Sequence, residues 1–338
     1  MDADRGNGPV DADRGNGPVE ADRGNGPVDA DRRKRAGGSR PARTGAHALS
    51  GSGAGRRIVD PTTHGREAAP LMRIALSQIT TGPEPEQNLA LLREQADRAA
   101  EAGARLVVFP EAAMACFGTP LGPVAEPLDG PWATEVRQIA KDAGLVVVAG
   151  MFTPAPDGRV ANTLLATGPG VETSYDKIHL YDAFGFAESK TVAPGSQVVT
   201  FDLDGVRIGL ATCYDVRFPE LFRAHADAGA VLSVLPASWG AGPGKREQWD
   251  LLTRARALDA TVWLAAVGQA DPAASGRTTT TSAPTGIGHS ALIGPDGTVR
   301  ERLDAEPGLL VGEVDTEEVA AVRRSVAVLD NRRLGVRP

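Results

Sequence analysis

Val206-Arg-Ile-Gly-Leu-Ala-Thr212, Cys213, and then Tyr214-Asp-Val-Arg-Phe-Pro-Glu-Leu221 read as a strand, a tight turn and the start of a helix. Pro219, whose fixed φ suits a first helical position, marks the helix start. A strand end holds a side chain rigidly, and the unpaired amides and positive dipole end of a helix favour nearby negative charge. The segment therefore predicts a nucleophilic Cys213 with a stabilised thiolate. Working outward, Asp204-Gly205 turns Val198–Leu203 back onto Val206–Thr212 as a hairpin. Downstream come helix 219–228, strand 231–236, helix 246–260 and strand 262–268, then 291–293 and 299–303 pairing across Gly294-Pro-Asp-Gly297. Upstream, Met72–Gln78 is a strand, and Leu89, Leu92, Ala96 and Ala99 give helical spacing over 88–102, closed by Gly103. Strand 105–109, helix 132–143 and a hairpin of 145–152 with 160–166 complete the pattern. Crossovers mixed with hairpins suit an α/β fold of two sheets with helices outside, an α-β-β-α sandwich.

Two further segments carry chemistry. Leu106-Val-Val-Phe-Pro-Glu111 ends a strand in a carboxylate, and Tyr175-Asp-Lys-Ile-His-Leu180 carries one of only five lysines. Spacing alone favours a strand-end surface carboxylate at Glu111 and a solvated loop lysine at Lys177. Together with Ala187-Glu188-Ser, Gly242-Pro-Gly-Lys-Arg-Glu-Gln-Trp249 and Arg254-Ala-Arg-Ala-Leu258, these motifs resemble the nitrilase superfamily of carbon–nitrogen hydrolases, from Met72 to about Leu334. The resemblance implies a four-layer α-β-β-α sandwich of the nitrilase type. It also implies a Glu-Lys-Cys triad. Glu111 would be general base and acid, Lys177 the oxyanion stabiliser beside the backbone amide of Tyr214, and Cys213 the nucleophile forming a thioester. Glu188 corresponds to a supporting glutamate that would keep Lys177 charged and aligned; a purely structural ion pair is its alternative.

Cys116 is the rival thiol, but no strand leads into it. His179 suggests a Cys–His pair, yet its place two positions from Lys177 favours an orienting role. His64, His225 and His289 are scattered without metal-ligand spacing, so no metal is expected. No glycine-rich phosphate loop follows a strand, and no nucleotide or other cofactor is expected.

Composition sets outer limits. The chain has 338 residues and is 41% apolar, ample for a buried core, with a net charge of −7 that disfavours a nucleic-acid partner. No run of eighteen apolar residues and no hydrophobic leader occur, which points to a cytoplasmic protein without a membrane partner. Two cysteines are too few for a disulfide scaffold. The domain division reads as a tail over 1–70 and a carbon–nitrogen hydrolase domain over 71–338. In the tail, Asp2-Ala-Asp-Arg-Gly-Asn-Gly-Pro-Val10 recurs at Asp11 and, with one change, at Glu20, before a truncated copy from Asp29. These nine-residue units have no apolar face to bury and predict disorder. They lack the Gly-Gly-x-Gly-x-Asp of calcium-binding β-rolls. Arg32-Arg-Lys-Arg35 reads as a solvated charge run.

Cys213-Tyr-Asp is the form seen in the ω-amidase and deaminated-glutathione amidase group, whereas enzymes acting on nitriles usually have Cys-Trp-Glu. The resemblance therefore favours a small-molecule carboxamide, cleaved to an acid and ammonia. The alternatives are an N-carbamoyl amino acid hydrolase and, from another class, a catalytically silent interaction protein. The short Ala183-Phe-Gly-Phe-Ala187 loop and Ser238-Trp239 depart from the group where the pocket should be lined. Tyr214, Arg217 and Trp239 are the substrate-binding candidates. Arg217, Arg246 or Arg254 would pair with a substrate carboxylate, although helix ion pairing suits the last two better. Family resemblance further implies a homodimer built on helices near the nucleophile, with Val326-Ala-Val-Leu329 reaching over the partner.

Overall fold

The computed structural model describes residues 71–277, 281 and 283–335, so the repeat-bearing tail expected to be disordered lies outside the described residues. One sheet is built from β1 (Met72–Gln78), β2 (Leu106–Val108), β3 (Val146–Pro154), β4 (Val160–Gly168), β5 (Val171–Asp176) and β6 (Val192–Ala193), closed at the far edge by β13 (Gly308–Val314). Its order is β13-β1-β2-β3-β4-β5, with β6 pairing β4. The other sheet contains β7 (Thr200–Leu203), β8 (Val206–Leu210), β9 (Leu232–Ala237), β10 (Trp263–Gly268), β11 (Ala291–Ile293) and β12 (Val299–Arg302), in order β12-β11-β10-β9-β8-β7. Each sheet is parallel at its centre, where β1, β2 and β3 or β8, β9 and β10 lie side by side, and antiparallel towards its edges.

Alternation along the strands makes the layers. Ile74 and Leu76, Leu106 and Val108, and Val146 and Val148 point into the core shared with the second sheet, against Ile208, Leu210, Leu232 and Leu264. Their sequence neighbours Ala75, Val107, Phe109, Val147 and Ala149 point the other way. There they meet Leu92, Ala96 and Ala99 of α1 (Pro85–Glu101) and Trp132, Val136 and Ile139 of α2 (Pro131–Ala143). On the second sheet, α3 (Pro219–Asp227) and α4 (Lys245–Ala260) provide Leu221, Phe222, Trp249 and Ala257. Each fully buried aliphatic or aromatic side chain contributes roughly 1.5–3 kcal/mol, so both faces of the first sheet drive folding. The result is the α-β-β-α sandwich that the sequence suggested.

Helix starts differ from expectation by a few residues. α1 and α2 each begin at a proline, Pro85 and Pro131, three residues and one residue earlier than the apolar spacing indicated. β5, β6, β13 and α5 (Thr316–Ser325) are elements beyond those expected from the sequence pattern. One close approach bears on stability: His225 of α3 lies wholly buried over Gly209 of β8, where an added Cβ would stand 2.4 Å from the imidazole. Burial pushes the His225 pKa down to about 4. The ring is neutral, with Nδ1 3.1 Å from the Ser233 hydroxyl.

Candidate active site

Three strand ends deliver the candidate residues to one place. After β8 the chain continues extended through Thr212, and Cys213 then turns to φ 47°, opening a short 3-10 turn over Cys213–Arg217 before Pro219 starts α3. A left-handed conformation at a residue with a Cβ costs of order 1 kcal/mol and needs surrounding bonds to hold it. The amide of Ala211 donates to Val234 on β9 at 3.1 Å, and the amide of Thr212 donates to the Asp215 carboxylate at 2.8 Å. Cys213 is 7% exposed, and its Sγ lies 3.8 Å from the carbonyl of Ser238. The expected thiolate stabilisation by the α3 dipole is not the dominant influence. Burial, and then the charge of Glu111, push the Cys213 thiol well above its ordinary pKa, with Lys177 opposing them. The sulfur is therefore held as a thiol, and any attack by it would require a base to take that proton.

Glu111 follows β2 after Phe109 and Pro110, in a turn where Ala112 takes φ 57°. That turn presses on β3: a Cβ on Gly150 would stand 2.8 Å from the Ala112 nitrogen and 3.0 Å from the Glu111 Cα. Only glycine fits there. The carboxylate is completely buried; Oε1 accepts from Lys177 Nζ at 2.9 Å and Asn162 Nδ2 at 2.8 Å, and Oε2 from the Ser238 amide at 2.8 Å. Gln269 fixes the backbone below by donating to the Glu111 carbonyl at 3.0 Å.

Lys177 follows the last residue of β5, its backbone N–H donating a hydrogen bond to the Asn162 carbonyl at 2.9 Å. Far from being a solvated loop lysine, its side chain is 2% exposed and is gripped by Glu111 and Glu188, each at 2.9 Å. Burial works to lower its pKa, but those two carboxylates outweigh it and hold the ammonium well above the ordinary lysine value. Glu188 is itself buried, and it also accepts from the Tyr181 amide at 2.6 Å and from Asn162 at 3.2 Å. Asn162 thus bridges both carboxylates. A buried ammonium between two carboxylates and beside a thiol can stabilise negative charge developing on a bound carbonyl oxygen.

These residues share one pocket, whose empty space with its open mouth included is about 360 Å³. Glu111, Lys177, Glu188 and Cys213 form its floor with Ser238; Phe117, Tyr181, Phe186, Tyr214, Trp239 and Lys245 form much of the rest. Of the substrate-binding candidates, Tyr214 and Trp239 line the pocket. Arg217 lies behind them, its guanidinium carbon 5.5 Å and 5.2 Å from their ring centroids, with one Nη donating to Gln248 and a buried Nε without a partner. Besides Lys177, Lys245 is a cation that reaches the pocket. Its Nζ lies 3.1 Å from the Tyr181 hydroxyl and 3.4 Å from the Phe184 ring centroid. Burial, then the charge of Arg217, lower its pKa. Arg246 and Arg254 are used within the fold, on Asp250 and on the Gly297 carbonyl. His179 bonds Asp215, and Cys116 sits in a turn with its sulfur 3.6 Å from the Thr119 hydroxyl. Among the described residues, no group of three or more His, Cys, Asp or Glu side chains is disposed to hold a metal, and no helix is long and apolar enough to cross a membrane.

Sequence reasoning missed Asn162, Gly150, Gln269 and the pocket role of Lys245. Only Lys245 carried a usable signal, as a scarce lysine inside the Gly242–Trp249 motif.

The sequence profile of the carbon–nitrogen hydrolase family matches residues 73–324, and the chain belongs to that family as an amidase-type enzyme. A protein of Mycobacterium tuberculosis named Hydrolase Rv0480c is 55% identical over 267 residues, covering 77% of this chain and 95% of that protein. Deaminated glutathione amidase of Escherichia coli O157:H7 is 34% identical over 267 residues, covering 78% and 97%. Among solved structures, an amidase of the nitrilase superfamily from Nesterenkonia superposes with a TM-score of 0.64 at 30% identity, covering 78% of this chain and 94% of that one.

Proposed function

We propose that the protein hydrolyses the carboxamide of a small organic acid to a carboxylate and ammonia through a thioester on Cys213. The observation that carries this reading is Lys177, buried between Glu111 and Glu188 in the wall of the pocket that holds the Cys213 thiol. Glu111 accepts the thiol proton as the sulfur attacks the amide carbon. The oxyanion is met by the Lys177 ammonium and by the amide of Tyr214, one of the first amides of a helical turn, which lack intrahelical partners. Glu111 then protonates the departing nitrogen, ammonia leaves, and the same carboxylate activates the water that opens the thioester. Glu188 keeps Lys177 charged and in place throughout. A mutant of the Nesterenkonia amidase with the acetamide moiety of fluoroacetamide added covalently at its active-site cysteine supports the role of the sulfur.

The far end of the substrate is an acid group. Lys245 faces the pocket among aromatic rings, and Arg217 adds positive charge from behind. A carboxylate there would supply the anion that both cations lack in the pocket. The catalytic unit is residues 71–338, a cytoplasmic homodimer whose apposed face includes Leu251 and Leu258, 68% and 40% exposed on α4. Ammonia release from glutaramate-like amides by the full chain, lost in Cys213→Ala, is the expected result. Undiminished release by Cys213→Ala overturns the reading, and carbon dioxide released from N-carbamoyl amino acids would move it to the carbamoyl class.

A further inference from the structure

Asp215 is a wholly buried carboxylate beside the nucleophile that none of the steps above uses. Its oxygens face four donors. Oδ2 accepts from the Tyr175 hydroxyl at 2.6 Å and from the Thr212 amide at 2.8 Å. Oδ1 accepts from the His179 amide at 3.0 Å and lies 2.7 Å from His179 Nδ1, which donates when it carries the ring proton. These hydrogen bonds are what make a carboxylate tolerable at so buried a position.

The positions of the donors matter more than their number. Thr212 directly precedes Cys213, whereas Tyr175 stands two residues before Lys177 and His179 two residues after it. Asp215 itself stands two residues beyond Cys213. A single carboxylate therefore joins the turn that carries the sulfur to both flanks of the segment that carries the ammonium. Two further contacts tighten the joint. The His179 ring stacks flat on Phe218, the residue ending the nucleophile turn, at a centroid distance of 3.7 Å and 6° between planes. The Tyr175 hydroxyl accepts the Ile178 amide at 3.3 Å.

We propose that Asp215, with Tyr175 and His179 as its donors, is a positioning residue that locks the Cys213 turn to the Lys177 strand end and so sets where sulfur and ammonium stand relative to a bound carbonyl. The lock rests on the roles given above to Cys213 and Lys177. Its physical work is twofold. It holds Cys213 in a left-handed conformation that an untied turn would relax. It also restricts relative motion of two groups that belong to different sheets, where an error of about 1 Å costs on the order of a hundred-fold in rate.

His179 gives the cleanest test, because an asparagine amide can present a donor near the place of Nδ1 while alanine cannot. The full chain with His179→Ala should lose between about ten- and a hundred-fold in kcat with KM changed less than about two-fold. Alkylation of Cys213 by iodoacetamide, read by mass spectrometry and needing no substrate, should slow in parallel. His179→Asn should recover most of both, and Tyr175→Phe should resemble the alanine variant. Rates are taken per folded molecule, from circular dichroism. Unchanged kcat and alkylation in His179→Ala overturn the lock. Equal losses in the alanine and asparagine variants overturn it as well, because they assign the effect to ring packing on Phe218. Turnover surviving in Cys213→Ala overturns instead the site assignment beneath it, and the alkylation series keeps the two failures apart.

Discussion

The floor and the mouth of the pocket are built on opposite terms. On the floor, the polar groups of Glu111, Lys177 and Glu188 hold one another at hydrogen-bonding distance, with Asn162 and the Ser238 amide filling remaining positions. At the mouth, Lys245 faces aromatic rings, and behind that wall Arg217 faces them from the other side with a guanidinium nitrogen buried without a partner. The floor is complete before any substrate arrives, as expected where reorganisation during the reaction would be costly. The mouth has bonding capacity to spare, which is where the proposed acid group of the substrate would be read.

The comparison breaks most severely on the floor. Lys177→Met should lower kcat about a hundred- to a thousand-fold by removing an oxyanion donor. It should also destabilise the protein, because two buried carboxylates lose their shared counter-charge; steady-state kinetics and chemical denaturation read the two effects. The mouth should respond more gently. Lys245→Met is expected to raise KM for an acid-bearing amide about ten-fold, the worth of one charged hydrogen bond, and to leave a neutral amide of the same length unchanged. Equal effects on both amides would show that Lys245 shapes the pocket rather than reads charge.

A smaller effect follows from acidity. Because burial and Arg217 lower the Lys245 pKa, its ammonium is lost at a lower pH than an ordinary lysine's. KM for the acid-bearing amide should therefore climb several-fold on the alkaline side, while KM for the neutral amide stays level. Lys245→Arg, which keeps its charge there, should flatten the climb. The smallest effect is expected from removing the repeats. A chain beginning at Met72 should keep kcat and Tm within error, since the repeats offer no apolar face to bury; a fall of several degrees would show that they dock.

What the sequence revealed depended on how local each signal was. Strand, turn and the Cys213 thiol lie within sixteen contiguous residues, and the strand ends expected before Glu111 and Cys213 point where the structure places them. β5 escaped notice because it is an edge strand with only Val171 and Tyr175 buried, so alternation is weak. α5 buries Val319 alone, and its helical stripe is correspondingly faint. At the site, the missed residues act across the chain: Asn162 lies 51 positions from Glu111, and Gln269 reaches it across 158. Gly150 is required by a backbone passing over another strand, which no spacing encodes. Lys177 illustrates the converse. Spacing favoured a solvated lysine; the fold placed two carboxylates around it.

The neutral imidazole of His225, folded over Gly209, gives the protein an acid limit. In the unfolded chain this ring takes up a proton near pH 6.5, but in the native state only near about 4. Acidification through that interval feeds protons to the unfolded state alone. This site's contribution to native stability is intact above pH 6.5, declines between pH 6.5 and about 4, and below that adds no further loss. The interval corresponds to about 3 kcal/mol, a large share of the 5–15 kcal/mol by which proteins are typically stable. Denaturant midpoints at neutral pH and near pH 4 should differ accordingly, so that acid titrates the scaffold as well as the chemistry it supports.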